Sequence, residues 1–101
     1  MPDDKIEIEN ISSPGRLVRV NREKYHAMRR SFLDVLPDTP PGLTEAEAKA
    51  ALLPKLPESL FPGGEKAGWW LAAIRLDLEA KGIVVREKTK PLRFWRASTA
   101  G

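Results

Sequence analysis

The 101-residue sequence has no cysteine, a single histidine and a single tyrosine. Without cysteine the chain can form neither a disulfide framework nor a thiolate metal site. The serines have only His26 from which to build a catalytic triad, and we interpret this histidine as a surface residue of a helix. We therefore expect no catalytic residue, no metal and no cofactor, and the sequence predicts a protein that is not an enzyme.

Long apolar runs are also missing. No stretch approaches the roughly 18 residues of a membrane span, and the acidic start MPDDKIEIEN lacks the basic-then-apolar order of a signal peptide. We therefore expect a cytoplasmic location and no membrane partner. The length suits one domain with a modest core. Hydrophobic residues at 42% and charged residues at 31% favour a folded chain over a disordered one.

Charge of one sign is concentrated in segments rather than in the total, which is only +3. Residues 16–30 and residues 81–101 each carry six basic residues against one acid, a net charge of +5. Residues 31–65 carry six acids against two lysines, a net charge of −4. This distribution is consistent with a surface that meets an anion, and equally with ordinary solvated charge.

The first third of the chain predicts two short strands and a helix. Apolar residues alternate with polar ones in KIEIENI and RLVRV, and the intervening SSPG suits a turn, so residues 1–20 predict a hairpin or strand pair. Asn21 is a suitable cap for the helix that follows. Tyr25, Met28 and Phe32 recur at three- and four-residue steps on its apolar face.

The middle of the chain predicts a short second helix between proline-rich connectors. Thr44 and Glu47 form the capping-box pattern that opens a helix. We expect Ala46, Ala50, Leu53 and the neighbouring Ala51 to make this helix slim, because alanines allow another helix to pack closely.

The last third predicts the longest helix, within EKAGWWLAAIRLDLEAKG, and then a hairpin formed by the β-prone runs at 83–86 and 92–96. Gly82 suits the position just past the helix end. The expected core anchors are Trp70, Leu71, Ile74, Leu78 and Phe94.

The order of these elements resembles a winged helix-turn-helix domain over residues 22–97. The residues that carry the resemblance are GLTEAEAKAALL and KAGWWLAAIRLDLEAKGIVVREKTKPLRFWRA. In that family a three-helix core carries a C-terminal β-hairpin, the wing, and Gly42-Leu43 resembles the short strand ahead of the second helix. The whole chain also resembles a small set of uncharacterised bacterial proteins that share the stretch FPGG-x-KAGWW.

The predicted fold class is therefore α+β. We expect a three-helix winged helix-turn-helix core with a C-terminal β-hairpin wing and an extra N-terminal β-hairpin or strand pair. All of it belongs to one domain that spans residues 1–101.

The stretch FPGGEKAGWW, at 61–70, permits three interpretations: a phosphate loop, an aromatic ligand box or a turn into a buried helix. A phosphate loop is excluded, since its lysine would have to follow the last glycine and precede a serine or threonine. Trp69 and Trp70 would point about 100° apart on a helix and do not form two walls of one pocket. We favour the turn, with Trp70 in the core.

The resemblance implies DNA binding through the third helix and the basic wing, with double-stranded DNA as partner and a homodimer as the binding form. The alternative is a winged-helix protein–protein interaction or dimerisation module without DNA binding, which the acids Asp77 and Glu79 on the third helix favour. An exposed Trp69 or Trp95 would support this alternative. The DNA-binding candidates are Lys66, Arg75, Arg86, Lys88, Lys90 and Arg93.

Overall fold

The computed structural model describes residues 5–10, 12–13 and 15–97. It is an α+β fold with three helices and two small antiparallel sheets. The α+β class predicted from the sequence is thus confirmed. Parts of three predicted features lie outside the described residues: Ile11 of the alternating pattern, Pro14 of the turn, and the tail at 98–101.

The N-terminal sheet is the predicted hairpin. Strand β1 (Lys5–Ile8) pairs antiparallel with β2 (Val18–Asn21), and Ile8 lies opposite Val18. Because side chains alternate along a strand, the isoleucines of β1 and the valines of β2 share one face. Ile8 and Val20 bury this face against the core, whereas Val18 stays exposed at its edge.

Helix α1 (Arg22–Val35) begins at the predicted cap. The Asn21 side chain accepts a hydrogen bond from the backbone N–H of Lys24 at 2.9 Å, which satisfies one of the free donors of the first turn. The helix ends before Pro37, which has no N–H to continue it.

Strand β3 (Leu43–Thr44) leads directly into helix α2 (Glu45–Leu52), and the predicted capping box is confirmed. The Thr44 hydroxyl accepts from the Glu47 backbone N–H at 3.1 Å, and the Glu47 carboxylate accepts from the Thr44 N–H at 2.9 Å. This backbone donor lowers the pKa of Glu47.

The expected close packing at Ala46, Ala50, Ala51 and Leu53 of α2 is wrong, because all four are exposed. Ala48 and Leu52 are buried instead. Alanine side chains are too small to fix which side of a helix faces the core. One bulky leucine therefore decides, and the pattern does not show which of the two adjacent leucines it is.

Helix α3 (Ala67–Ala80) runs into the second sheet. Gly82 has a φ of 75° just past the helix end, as predicted for a glycine at that position. Strands β4 (Val84–Glu87) and β5 (Arg93–Arg96) form the C-terminal hairpin, and β3 pairs with β5 on its other side. The strand order is β3-β5-β4.

A single hydrophobic core lies between the three helices and both sheets. All five expected anchors are buried in it: Trp70, Leu71, Ile74, Leu78 and Phe94.

Candidate interaction surfaces on the third helix and the wing

The stretch FPGGEKAGWW forms a turn into a buried helix. A short 3-10 turn at Pro62–Gly64 leads to Lys66, and α3 begins at Ala67. Phe61 is buried and meets the Trp70 ring edge to face, with 6.2 Å between ring centroids. This pair fixes the entry of α3 into the core, which accounts for the two aromatic residues on either side of the glycines.

Trp69 lies on the other side of α3 and is 55% exposed. Ala72, Ala73 and Leu76 follow it at steps of three, four and seven residues, so the four side chains share one face of the helix. These three are half-buried and uncharged. We call Trp69, Ala72, Ala73 and Leu76 the α3 stripe.

The α3 stripe forms one wall of a groove of about 220 Å³. The opposite wall is the end of the N-terminal hairpin, where Ile8 and Val18 face the helix. Leu17, which precedes the groove residue Val18 in the sequence, is also exposed. Large apolar side chains that cluster at a surface mark interaction sites, whereas single ones do not.

Asp77 lies on the hairpin side of α3 and is fully buried. Its carboxylate accepts hydrogen bonds from the Tyr25 hydroxyl at 2.7 Å and from the Glu9 backbone N–H at 2.8 Å, and it pairs with the Lys81 ammonium. The carboxylate therefore ties α1 and the end of β1 to α3. Asp77, which the sequence analysis counted against DNA binding as an acid of the third helix, is therefore a buried structural residue.

Glu79 is also buried, on the side of α3 that faces the C-terminal hairpin. It accepts from the Arg75 and Arg86 guanidinium groups, at 2.7 Å from Arg86 Nε. Arg75 also pairs with Glu45 at 2.9 Å, and its guanidinium lies 4.7 Å from the centre of the Phe94 ring. With its side chain only 12% exposed, Arg75 could reach a base edge only by breaking these pairs.

The other wing candidates divide into two groups. Arg86 is bound to Glu79, and Arg93 donates to the Gly42 carbonyl at 3.1 Å. Lys88 and Lys90 are exposed in the turn between β4 and β5 and take part in no ion pair within the described part of the chain. The two lysines are thus the wing cations best placed for an external anion.

Lys66 is exposed at the start of α3, away from the wing turn. Its own backbone is left-handed, with a φ of 59°. With Lys24, it borders a second pocket beside the two tryptophans. The structure therefore brings Lys66 close to the α3 stripe and not to the other DNA-binding candidates.

The described residues hold neither a membrane-spanning helix nor a cluster of metal ligands. No helix there combines the length and apolar character needed to cross a bilayer. No three histidine, aspartate or glutamate side chains there are arranged to hold a metal ion.

A model of one protein family matches residues 5–94, which is most of the chain and includes both sheets and all three helices. The chain belongs to the family of unknown function DUF6958. No curated protein matches it, and no solved structure does. Because the function of this family is unknown, the α3 stripe and the exposed lysines of the turn between β4 and β5 are the basis for a functional proposal.

Proposed function

We propose that this chain is a winged-helix protein whose function is to pair with a second copy of itself through the α3 stripe. The winged-helix assignment is supported by the order α1, β3, α2, α3, β4, β5, with the short β3 ahead of α2 joined to the hairpin through β5. The observation that carries the pairing is the uncharged outer face of α3, with Trp69 exposed in a groove.

The stripe is complementary to itself. Its bulky residues, Trp69 and Leu76, stand at the two ends, and its small residues, Ala72 and Ala73, stand in the middle. Two copies related by a two-fold axis present the same patch to each other. With the axis between positions 72 and 73, antiparallel α3 helices approach closely at the alanines.

In this arrangement each Trp69 lies against Leu76 of the second copy, beside the exposed Val18 of the hairpin. A buried tryptophan contributes a large apolar area, and such residues dominate the energy of interfaces. DNA-reading helices, by contrast, present polar and basic groups to base edges. The apolar face of α3 therefore favours the protein–protein alternative over a recognition helix.

The test compares two matched variants by sedimentation equilibrium. Ala72→Glu places a carboxylate in the proposed interface, and Ala50→Glu makes the same change on the exposed side of α2. We expect Ala72→Glu to weaken dimerisation at least about 100-fold, because an unpaired charge would be buried. Ala50→Glu should dimerise like the wild type. Equal association constants for the two variants, with native circular dichroism, would contradict the proposal.

A second candidate function is DNA backbone contact through the wing. Lys88 and Lys90 favour it, since both are exposed in the turn and carry no partner acid within the described residues. Contacts of this kind supply affinity without sequence information and weaken as salt rises.

This candidate is tested by fluorescence anisotropy with mixed-sequence duplex DNA. The double variant Lys88→Glu/Lys90→Glu should bind more weakly. The slope of log K against log salt should become less negative by about 2, because two phosphate contacts are lost. Arg16→Glu/Lys49→Glu makes the same charge change at two exposed residues away from the turn and serves as the control. If the two double variants lose affinity equally, the effect comes from net charge and the wing has no contact role.

A further inference from the structure

The two basic segments of the sequence, residues 16–30 and 81–101, meet at a pocket. No residue of the α3 stripe lines this pocket, and neither Lys88 nor Lys90 does. One side of the pocket is the face of α1 that carries His26, Arg29 and Arg30. These residues stand at helical steps of three and four, so their side chains project together. The other side is Arg96, at the end of β5. Two adjacent arginines of α1 and one arginine from the far end of the sequence therefore line one pocket of about 400 Å³.

Arg96 is held in place by the end of α1. Its backbone N–H donates to the Pro37 carbonyl at 2.8 Å, and its Nε donates to the Leu36 carbonyl at 3.0 Å. One edge of its guanidinium is thus bound to the protein. Its Nη1 and Nη2 carry further N–H donors, and Arg96 is one of the residues that line the pocket.

Positive charge dominates this pocket. Asp34 is its single acidic lining residue, and the Asp34 carboxylate pairs with Lys55 at 2.8 Å. That pair, rather than the arginines, is the main reason that the pKa of Asp34 is lowered. Arg30 and Arg96 outnumber the acid, and Arg29, whose side chain also interacts with the Tyr25 hydroxyl, adds a third positive charge, so the pocket attracts an anion.

We propose that this pocket binds a small phosphorylated ligand, with Arg29, Arg30 and Arg96 as its phosphate-binding residues. Planar guanidinium groups bind two phosphate oxygens at once, which lysines do not. Arg96 stands at the end of β5 that pairs with Val84, whereas the turn that carries Lys88 and Lys90 lies at the opposite end of the strand, before Arg93. The pocket is therefore separate from the Lys88 and Lys90 surface.

The single histidine of the chain reports on the pocket. His26 packs edge to face against Tyr25, at 5.2 Å between ring centroids, so its ring is oriented at the pocket edge. Titration with pyrophosphate at low ionic strength should shift the His26 ring resonances in the NMR spectrum and should saturate. Inorganic phosphate should bind at the same place more weakly, because it carries fewer oxygens.

Substitutions then distinguish specific binding of pyrophosphate in the pocket from attraction by the net positive charge of the protein. Arg30→Gln should weaken pyrophosphate binding about tenfold, because it removes a charge-assisted pair of hydrogen bonds. Arg30→Lys should recover only part of this loss, since it restores charge without the planar fork. Arg16→Gln removes the same charge from the exposed segment before β2 and should bind like the wild type.

Three results would overturn the proposal. The first is the absence of a saturable His26 shift, and the second is equal weakening by Arg30→Gln and Arg16→Gln. The third is a saturable shift with duplex DNA and none with pyrophosphate, which would assign the arginines to a nucleic-acid backbone. Sedimentation of Arg30→Gln should match the wild type, because the pocket shares no residue with the α3 stripe, so this test is independent of dimerisation.

Discussion

Replacing Asp77 with alanine should lower the free energy of unfolding by about 2–4 kcal/mol, because two donors that the buried carboxylate satisfies lose their acceptor. The variant leaves the Tyr25 hydroxyl and the Glu9 N–H without their acceptor and the Lys81 ammonium without its buried partner. A domain of this size has a total stability of about 5–15 kcal/mol. The loss is therefore a large part of what holds the fold.

Urea denaturation followed by circular dichroism measures this effect. Asp38→Ala is the matched control, because Asp38 is exposed in the connector after α1, and it should change stability by less than about 0.5 kcal/mol. Asp77→Asn should fall between the two, since an amide keeps an acceptor but loses the charge. An Asp77→Ala protein as stable as the control would show that the buried network contributes nothing to stability.

The same network sets the ionisation of the only tyrosine. Burial raises the pKa of Tyr25 to about 12, with the hydrogen bond to Asp77 and the Asp77 charge adding to it, and Arg29 opposing. The ordinary value is 10.0. Between about 10 and about 12, the unfolded chain has lost the phenol proton and the folded chain keeps it, so stability falls as pH rises.

Tyrosinate absorbance therefore reads this contact alone, because the chain has one tyrosine. We expect no ionisation near pH 10 while circular dichroism remains native. The stability loss that Tyr25 contributes in this pH window should be absent in Tyr25→Phe. A midpoint near 10 in the folded protein would mean that the phenol is not buried against the carboxylate.

Gly42→Ala is the second substitution with a large expected effect. Gly42 has a φ of 73°, and a Cβ built there lies 2.2 Å from the Phe94 carbonyl oxygen. The clash is with backbone, which no side-chain movement relieves, and it lies where β3 pairs with β5. We expect a loss of about 3 kcal/mol or more, and separation of β3 from the wing sheet.

Gly63→Ala separates the two causes of this effect. Gly63 also has a positive φ, of 61°, but nothing lies within 4 Å of a Cβ built there. It should lose only the roughly 1–2 kcal/mol that a left-handed backbone costs. Hydrogen exchange of the Phe94 amide should increase in Gly42→Ala alone. Equal losses in the two variants would show that strand contact at Gly42 is not limiting.

Local signals in the sequence predicted the elements well. Caps at Asn21 and Thr44 and the glycine at 82 satisfy free groups at helix ends, and such pairings act over three or four residues. The positions of the helix ends can therefore be predicted from the sequence without knowledge of tertiary contacts. The apolar periodicity of α3 was sufficient to identify its four core anchors, because bulky residues at helical steps leave little freedom in the choice of face.

The surfaces were much less predictable, because each depends on residues that are distant in sequence. Asp77 and Glu79 look like solvent-facing acids until Tyr25 and Arg86 are placed beside them by other elements. Arg75 looks available for DNA until Glu45 arrives from α2. The arginine pocket likewise needs Arg96 beside the end of α1, and no spacing in the sequence indicates that contact.

In the proposed dimer, two chains pair across a two-fold axis between positions 72 and 73 of α3. Mixing Ala72→Glu with Ala73→Lys tests this pairing most directly, because the axis sets these positions opposite each other and the introduced charges are opposite in sign. Each variant alone should sediment near the 11.3 kDa chain mass. The equimolar mixture should sediment at twice that mass, as the wild type should. A mixture that stays monomeric, while the wild type dimerises, would place the interface elsewhere, and a wild type that is monomeric at every concentration would contradict the proposed dimer itself.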